Sequence, residues 1–475
     1  MTVVSPYPWA PGYYPSDTRP VIVTGRFQYE DGHTMERALA TGAYEGLRAA
    51  LAKTPAEVAE EVKNSTLLGG GGAGFPAGTK WGFTPAGVWP RYLVVNGDES
   101  EPGTYKDRLL MECDPHQLIE GCLIACYAAG LSQCFLYIRG EMPLAHERVA
   151  KALDDAYAAG FIGKSILGTD FSVDVVMHTG AGAYVVGEET ALIESLEGER
   201  GMPRLKPPYF PAAVGLYGQP TIVNNVETLS NLPFIAREGS AAYTAIGTAT
   251  SPGTRMIAVS GHVRRPGVYE IVNGSTTFRD LIYGDDFAQG IRDGHELKAF
   301  VPGGGSAPWF IADQLDIPFE GPQAGAAGSM LGSGAIMVMD ETTDIPAAAL
   351  TLVKFYAHES CGKCTPCREG GTWLYRIVER VVAGHGTDAD LATILEVGQT
   401  ICPGDMPHAS SARLGLDAVP FPYKMTTICF VGPSAYVPIH SALTLFPEDF
   451  QPLVKPRVER RPIPVSAAVS AGVGQ

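Results

Sequence analysis

Three cysteines, Cys361, Cys364 and Cys367, stand at C-x-x-C-x-x-C spacing in the run His358-Glu359-Ser360-Cys361-Gly362-Lys363-Cys364-Thr365-Pro366-Cys367-Arg368. That spacing puts three thiolates on one tight loop, all able to face a common point, as soft sulfur ligands do when they hold iron and inorganic sulfide. A four-thiolate site needs one more cysteine, and Cys402 and Cys429 lie downstream. The competing use is a zinc staple, which prefers two separated C-x-x-C pairs or a Cys/His mixture. An electron-carrying cluster also needs a donor, so the chain must be read for one.

A second constellation is Leu68-Gly69-Gly70-Gly71-Gly72-Ala73-Gly74-Phe75-Pro76-Ala77-Gly78-Thr79-Lys80-Trp81. Consecutive glycines let backbone N–H groups converge on an anion without side chains in the way. The run matches G-x-G-x-x-G only formally: it follows a helical pattern rather than a strand, and Thr79 before Lys80 breaks the P-loop pattern. The neighbouring aromatic residues and Lys80 favour a phosphate-binding loop with aromatic walls over a flexible linker. Acids cluster in Gly97-Asp98-Glu99-Ser100-Glu101-Pro102-Gly103, directly after the strand pattern Tyr92–Asn96, where open α/β sheets bind ligands. Gly180 to Thr190 is a further glycine-rich loop opening a helix, with Glu188 and Glu189 in the first turn. Those acids suit the helix dipole and a ligand equally.

The elements around these loops set the fold class. Strand patterns at 92–96, 134–138 and 171–177 alternate with helical ones at 117–129 and 145–159, which makes an α/β fold with a largely parallel sheet. A loose stretch at 239–252 precedes a small α+β module, and from Ile345 the pattern is helical. In the helix after the cysteine loop, Trp373, Leu374, Ile377, Val378 and Val381 form an apolar stripe expected to pack in the core. The divisions read as a 1–54 arm and short helix, a 55–245 α/β domain, a 250–340 module, a 345–453 helical domain and a 454–475 tail. Cys113, Cys122, Cys126 and Cys134 read as buried small hydrophobes.

Composition excludes some partners. The 475 residues carry a formal net charge of −16, which argues against nucleic acid and against an anionic membrane surface. No run has the length of a membrane span, and Met1–Pro20 lacks the pattern of a signal peptide. Nine cysteines, three of them in one loop, suggest thiols used as ligands in a reducing compartment. The chain reads as soluble and cytoplasmic.

Taken jointly and in order, these stretches, with Arg204-Leu205-Lys206-Pro207-Pro208 and Asn224-Asn225-Val226-Glu227-Thr228, resemble the family of NADH-binding flavoprotein subunits of respiratory complex I. Diaphorase subunits of NAD-dependent hydrogenases and formate dehydrogenases share the pattern. The resemblance implies a Rossmann-like domain binding FMN and NADH, a ubiquitin-like β-grasp module, and a C-terminal helical bundle carrying a [4Fe–4S] cluster. It implies FMN contacts at Gly69, Gly71, Lys80, Asn96, Asp98, Tyr184, Gly187, Glu188, Asn224 and Asn225. For NADH it implies Phe75 and Phe83 about the adenine, with Glu101, Glu188, Glu189, Lys206 and Tyr209 along the dinucleotide.

The implied reaction is hydride transfer from NADH to FMN, with single electrons passing to the cluster, and no side chain is needed as a catalytic base. The implied partners are a small [2Fe–2S] subunit and a large iron–sulfur subunit in a peripheral arm at the cytoplasmic face of the inner membrane. The membrane arm is reached only indirectly. Two departures stand out: Leu68 to Gly72 lacks the two arginines of the family's Arg-Gly-Arg-Gly-Gly, and Val186 stands where relatives often have cysteine. Thr400-Ile401-Cys402 and Thr427-Ile428-Cys429 both resemble the family's Thr-Ile-Cys element. The residues after Cys429 (Gly432, Ala435, Pro438, Ile439) fit better, so Cys429 is taken as fourth ligand, Cys402 as the alternative, and the segment between as an insertion. A zinc-stapled scaffold whose glycine loops are mere turns is the remote alternative.

Overall fold

The computed structural model describes residues 7–16, 18–403 and 425–456. Residues 404–424, within the expected insertion, and the tail from 457 lie outside the described residues. Four strands, β1 (Tyr92–Gly97), β2 (Gln133–Ile138), β3 (Asp174–Thr179) and β4 (Thr221–Asn225), form an all-parallel sheet in the order β3-β2-β1-β4. The third strand starts three residues later than its apolar pattern suggested, because Phe171 packs under Tyr127 instead of joining the ladder. The order reverses between β1 and β4, so a crevice opens at their carboxyl ends, where Asp98 follows β1 and Asn224 and Asn225 close β4.

Leu93, Val94 and Val95 in β1 are all fully buried, as a sheet covered on both faces requires. One face packs under the Pro115–Ala129 helix. That helix begins on Asp114, whose carboxylate accepts the Gln117 N–H, with Pro115 in its first turn, and it ends at Gly130 in the left-handed region. The other face, with Val94, Tyr137 and Val223, packs against Val185, Val186, Leu192 and the cysteine loop.

The second sheet has β5 (Thr254–Gly261), β6 (Gly267–Val272), β7 (Leu297–Val301) and β8 (Ala335–Asp340) in the order β6-β5-β8-β7. Its two central strands are parallel and its edges antiparallel, and the Phe278–Tyr283 helix packs on it: a β-grasp arrangement. The N-terminal residues, expected as an extended arm, lie docked across this module. The Glu270 carboxylate of β6 accepts the N–H groups of Ile22, Val23 and Thr24 as well as the Thr24 hydroxyl. The helical stretch that follows is broken into Met35–Ala40 and Glu45–Leu51 by Gly42 and Tyr44, both at positive φ.

Helices Ile345–His358, Gly371–Arg380, Asp388–Ile401 and Val431–Leu445 share one core. Leu374, Val378 and Val381 are fully buried there, but Trp373 is 56% exposed. One residue advances a helix by about 100°, which turns Trp373 off the stripe that Leu374 begins. Where the described chain resumes after Pro403, Thr426 donates from its N–H and its hydroxyl to the Ile401 carbonyl, closing the two ends against each other.

Candidate functional site

A Cβ at position 70 would lie 2.8 Å from the Glu227 carboxylate, and one on Gly71 3.1 Å from Asn225 Cβ, so a side chain at either place would push these neighbours aside. The loop is no free linker. Gly69 N–H bonds Phe75 O, Ala77 N–H bonds Leu67 O, and Gly70 N–H bonds the Thr228 hydroxyl. Across the crevice, Asn96 donates to Gly187 O, and the Asn224 side-chain oxygen accepts the Trp81 indole N–H. Asp98 is buried, with Oδ2 accepting from Ser100, while Oδ1 has no partner. A glycine cradle beside a buried carboxylate oxygen in want of a donor fits the hydroxyl-bearing chain of a flavin nucleotide.

Burial pushes the Asp98 carboxyl up to about 7, against the lowering effect of Ser100 and Arg139. The folded chain thus holds this proton where the unfolded chain has lost it, so the group's contribution to stability is present at low pH and lost as pH rises through about 7. Asp98→Asn is expected to remove about 2 kcal/mol of the fall in stability between roughly pH 5 and 7. Urea unfolding of flavin-free protein at the two pH values checks it, and identical pH dependence in both proteins refutes it.

Lys80, expected near a phosphate, donates to Glu189 at 2.6 Å and to Val223 O at 2.9 Å. Glu189 also pairs with Lys206, which pairs with Glu188, so two ammoniums and two carboxylates alternate. Burial raises the Glu189 carboxyl, but Lys80 and Lys206 outweigh it and hold it below its ordinary range. Glu188 also caps its helix, accepting the N–H groups of Thr190 and Ala191. Phe75 and Phe83 lie at the surface with ring centroids 6.1 Å apart and planes tilted by 44°, so a flat ring entering between them must turn them parallel. Tyr209, expected along the dinucleotide, lines a cleft of about 650 Å³ with Arg204, Tyr217 and Lys363.

Glu101 holds a place the sequence did not reveal. Its Oε1 accepts from Ser306 N, the Ser306 hydroxyl and the Tyr356 hydroxyl, and its Oε2 accepts from the Tyr184 hydroxyl at 2.5 Å. One carboxylate thereby joins the strand-end loop, the β-grasp module, the helix leading to the cysteines and the 180–190 loop. Gly304 permits the approach, since a Cβ there would sit 2.6 Å from Glu101 Cγ. A second unexpected group is buried behind Asn225. Lys106 forms ion pairs with Glu227 at 2.5 Å and Asp107 at 3.0 Å, and Asp107 accepts from the Asn225 amide. The only local signal is Lys106-Asp107, a cation next to an acid just past the strand-end acids. A cavity of about 360 Å³ behind the glycine loop, bordered by Arg255 and Phe319, was not foreseen.

Cys361, Cys364, Cys367 and Cys429 lie in one apolar group with Val94, Val185, Val186 and Val223. Cys402 lies in the core of the helical bundle at 1% exposure, in the cluster that holds Tyr436. The Ile428 N–H donates to Cys364 Sγ at 3.3 Å. Burial pushes the Cys429 thiol up to about 12, with the Cys367 and Cys361 thiols adding to it against a hydrogen bond from Val431 N–H. Four sulfurs from one loop and one returning segment fit an iron–sulfur cluster. Cys113, Cys122, Cys126 and Cys134 are all buried away from this group.

Comparison with known proteins defines the class first. Residues 62–234 match the Nuo51 FMN-binding domain, and residues 347–452 match the NADH-ubiquinone oxidoreductase-F iron-sulfur binding region. The chain is 46% identical over 409 residues to the NADH-quinone oxidoreductase F-subunit of Streptomyces coelicolor, covering 86% of this chain and 85% of that one. It is 50% identical over 363 residues to the corresponding F-subunit of Mycobacterium tuberculosis, covering 75% and 80%. The chain belongs to the family of NADH-quinone oxidoreductase F-subunits. Among solved structures, a chain of an NAD+-reducing [NiFe]-hydrogenase in the air-oxidized state matches with a TM-score of 0.72 and 31% identity, over 94% of this chain and 67% of that one.

Proposed function

We propose that this chain is the NADH-oxidising subunit of an NADH–quinone oxidoreductase, with FMN in the β1/β4 crevice and a [4Fe–4S] cluster on Cys361, Cys364, Cys367 and Cys429. The observation that carries the reading is a shared apolar group: Val94 and Val223, inside the strands whose ends form the crevice, pack with the four cysteines. When bound, the flavin supplies the chemistry of taking a hydride from NADH and releasing electrons singly to the cluster.

The protein's part is binding and placement. Gly69, Gly71, Asn96, Gly187, Asn224 and Asn225 shape the flavin cradle, and Asp98 accepts a hydroxyl proton there. Phe75 and Phe83 stack the adenine, while Glu188, Glu189, Lys206 and Tyr209 edge the dinucleotide channel. Glu101 and Tyr184 fix the channel wall against the cluster-bearing helix, and Lys80 acts through Glu189. Domain divisions at about 245–250 and 340–345 belong to the same reading, with the β-grasp module lending Ala299, Val301 and Trp309 to the core of the helical bundle.

No helix among the described residues is long and apolar enough to cross a membrane. The subunit sits in a peripheral arm at the cytoplasmic face of the inner membrane, beside a small [2Fe–2S] and a large iron–sulfur subunit. The likeness to the hydrogenase chain favours a second reading with the same site and another acceptor, a diaphorase subunit. Anaerobically purified, reconstituted protein is expected to contain flavin, iron and sulfide and to bleach on addition of NADH. Zinc in place of iron, or no bleaching, refutes the proposal. Co-purification with two iron–sulfur subunits, rather than with a hydrogenase, separates the two readings.

A further inference from the structure

The loop that carries the three cysteines also carries a hydroxyl set against one of their sulfurs. Ser360 Oγ lies 3.2 Å from Cys367 Sγ, and the Gly362 N–H donates to the same oxygen at 3.3 Å. A cysteine bound to iron has no proton and can only accept. The Gly362 N–H occupies one lone pair of the hydroxyl and leaves its proton for the sulfur, so the chain of donors runs from Gly362 through Ser360 to Cys367. The backbone N–H of Ile428 on Cys364 is fixed by the fold. Ser360 is a side-chain donor, and so one that substitution can retune.

We propose that Ser360 is a positioning residue that raises the reduction potential of the cluster through its hydrogen bond to Cys367 Sγ. The inference rests on the cluster assignment above. Reduction adds one negative charge spread over the cluster and its thiolates, and a hydrogen bond strengthens with the charge on its acceptor. The reduced form is therefore stabilised more than the oxidised form, and electrons leaving the flavin meet a better acceptor. No bond breaks and no proton transfers at Ser360. The effect is confined to the equilibrium between the two oxidation states.

The test compares the full chain with its Ser360→Ala and Ser360→Thr variants, with iron and sulfide quantified and the cluster titrated by electron paramagnetic resonance. Alanine is expected to shift the equilibrium three- to tenfold toward the oxidised form, tenfold being 59 mV for a one-electron couple. Threonine, which keeps the hydroxyl, is expected to restore it. A full cluster at unaltered potential in Ser360→Ala overturns the proposal and leaves the ligand assignment standing. An unaltered chain that holds no cluster overturns both. Should the alanine variant lose its cluster, double resonance on the unaltered protein in D2O decides instead: a strongly coupled proton that exchanges at once is the hydroxyl, whereas only slowly exchanging amide couplings overturn the proposal.

Discussion

Replacing Cys429 with serine is expected to reduce cluster content at least tenfold, whereas Cys402→Ser keeps a full complement of iron and sulfide. Both cysteines follow the same Thr-Ile pair, so the prediction separates two nearly identical pieces of sequence by their surroundings. Cys429 shares an apolar group with Cys361, Cys364 and Cys367, and the residue before it donates its N–H to Cys364 Sγ. A serine hydroxyl there is a hard, weakly acidic oxygen where a soft thiolate is wanted. Cys402 instead sits in the bundle core at 1% exposure. Its serine variant buries a hydroxyl among apolar side chains, at a cost of about 1–3 kcal/mol in stability without touching the cluster. Iron and sulfide per chain, read beside the paramagnetic signal of the reduced protein, decide the matter. The reverse pattern would make Cys402 the ligand.

Lys106→Met is the second large effect, expected to destabilise the chain by about 3–5 kcal/mol. Lys106 is 1% exposed, and its ammonium stands between the Glu227 and Asp107 carboxylates, themselves 2% and 3% exposed. Burial alone would depress the lysine, but Asp107, Glu227 and Glu99 outweigh it and raise it above its ordinary value, so it is charged at any working pH. Methionine fills the space and strands two acids without their counter-charge. Pairing the variant with Glu227→Gln should recover part of the loss. Denaturant unfolding of the single and double variants measures both, and no recovery in the double variant would refute the ionic account. Flavin affinity should weaken in parallel, because Asn225 donates to Asp107.

What could be read without coordinates was whatever a short run of residues carries by itself. The cysteine spacing, the acids after β1 and the Asn224-Asn225 pair at the end of β4 are local, and their places follow from the strand and loop patterns around them. Long-range pairing was out of reach. Glu101 meets Ser306 and Tyr356 across 205 and 255 residues, and nothing in the acidic stretch announces those partners. Lys80 looked like a free cation because its partner Glu189 lies 109 residues away. Trp373 was misplaced by a single helical step, and the docked N-terminal segment was missed because its anchor, Glu270, is one acid inside an ordinary strand.

The bond from Thr426 to the Ile401 carbonyl has a practical corollary for anyone handling this protein. Entry and exit of the intervening stretch are clipped together like the base of a key ring, which ties the segment leading to Cys429 to the end of the helix at Ile401. Entropy of closure grows only slowly with the number of links. A change in the number of residues joining the two ends is therefore expected to cost little, because Thr426 and Ile401 close them whatever that number is.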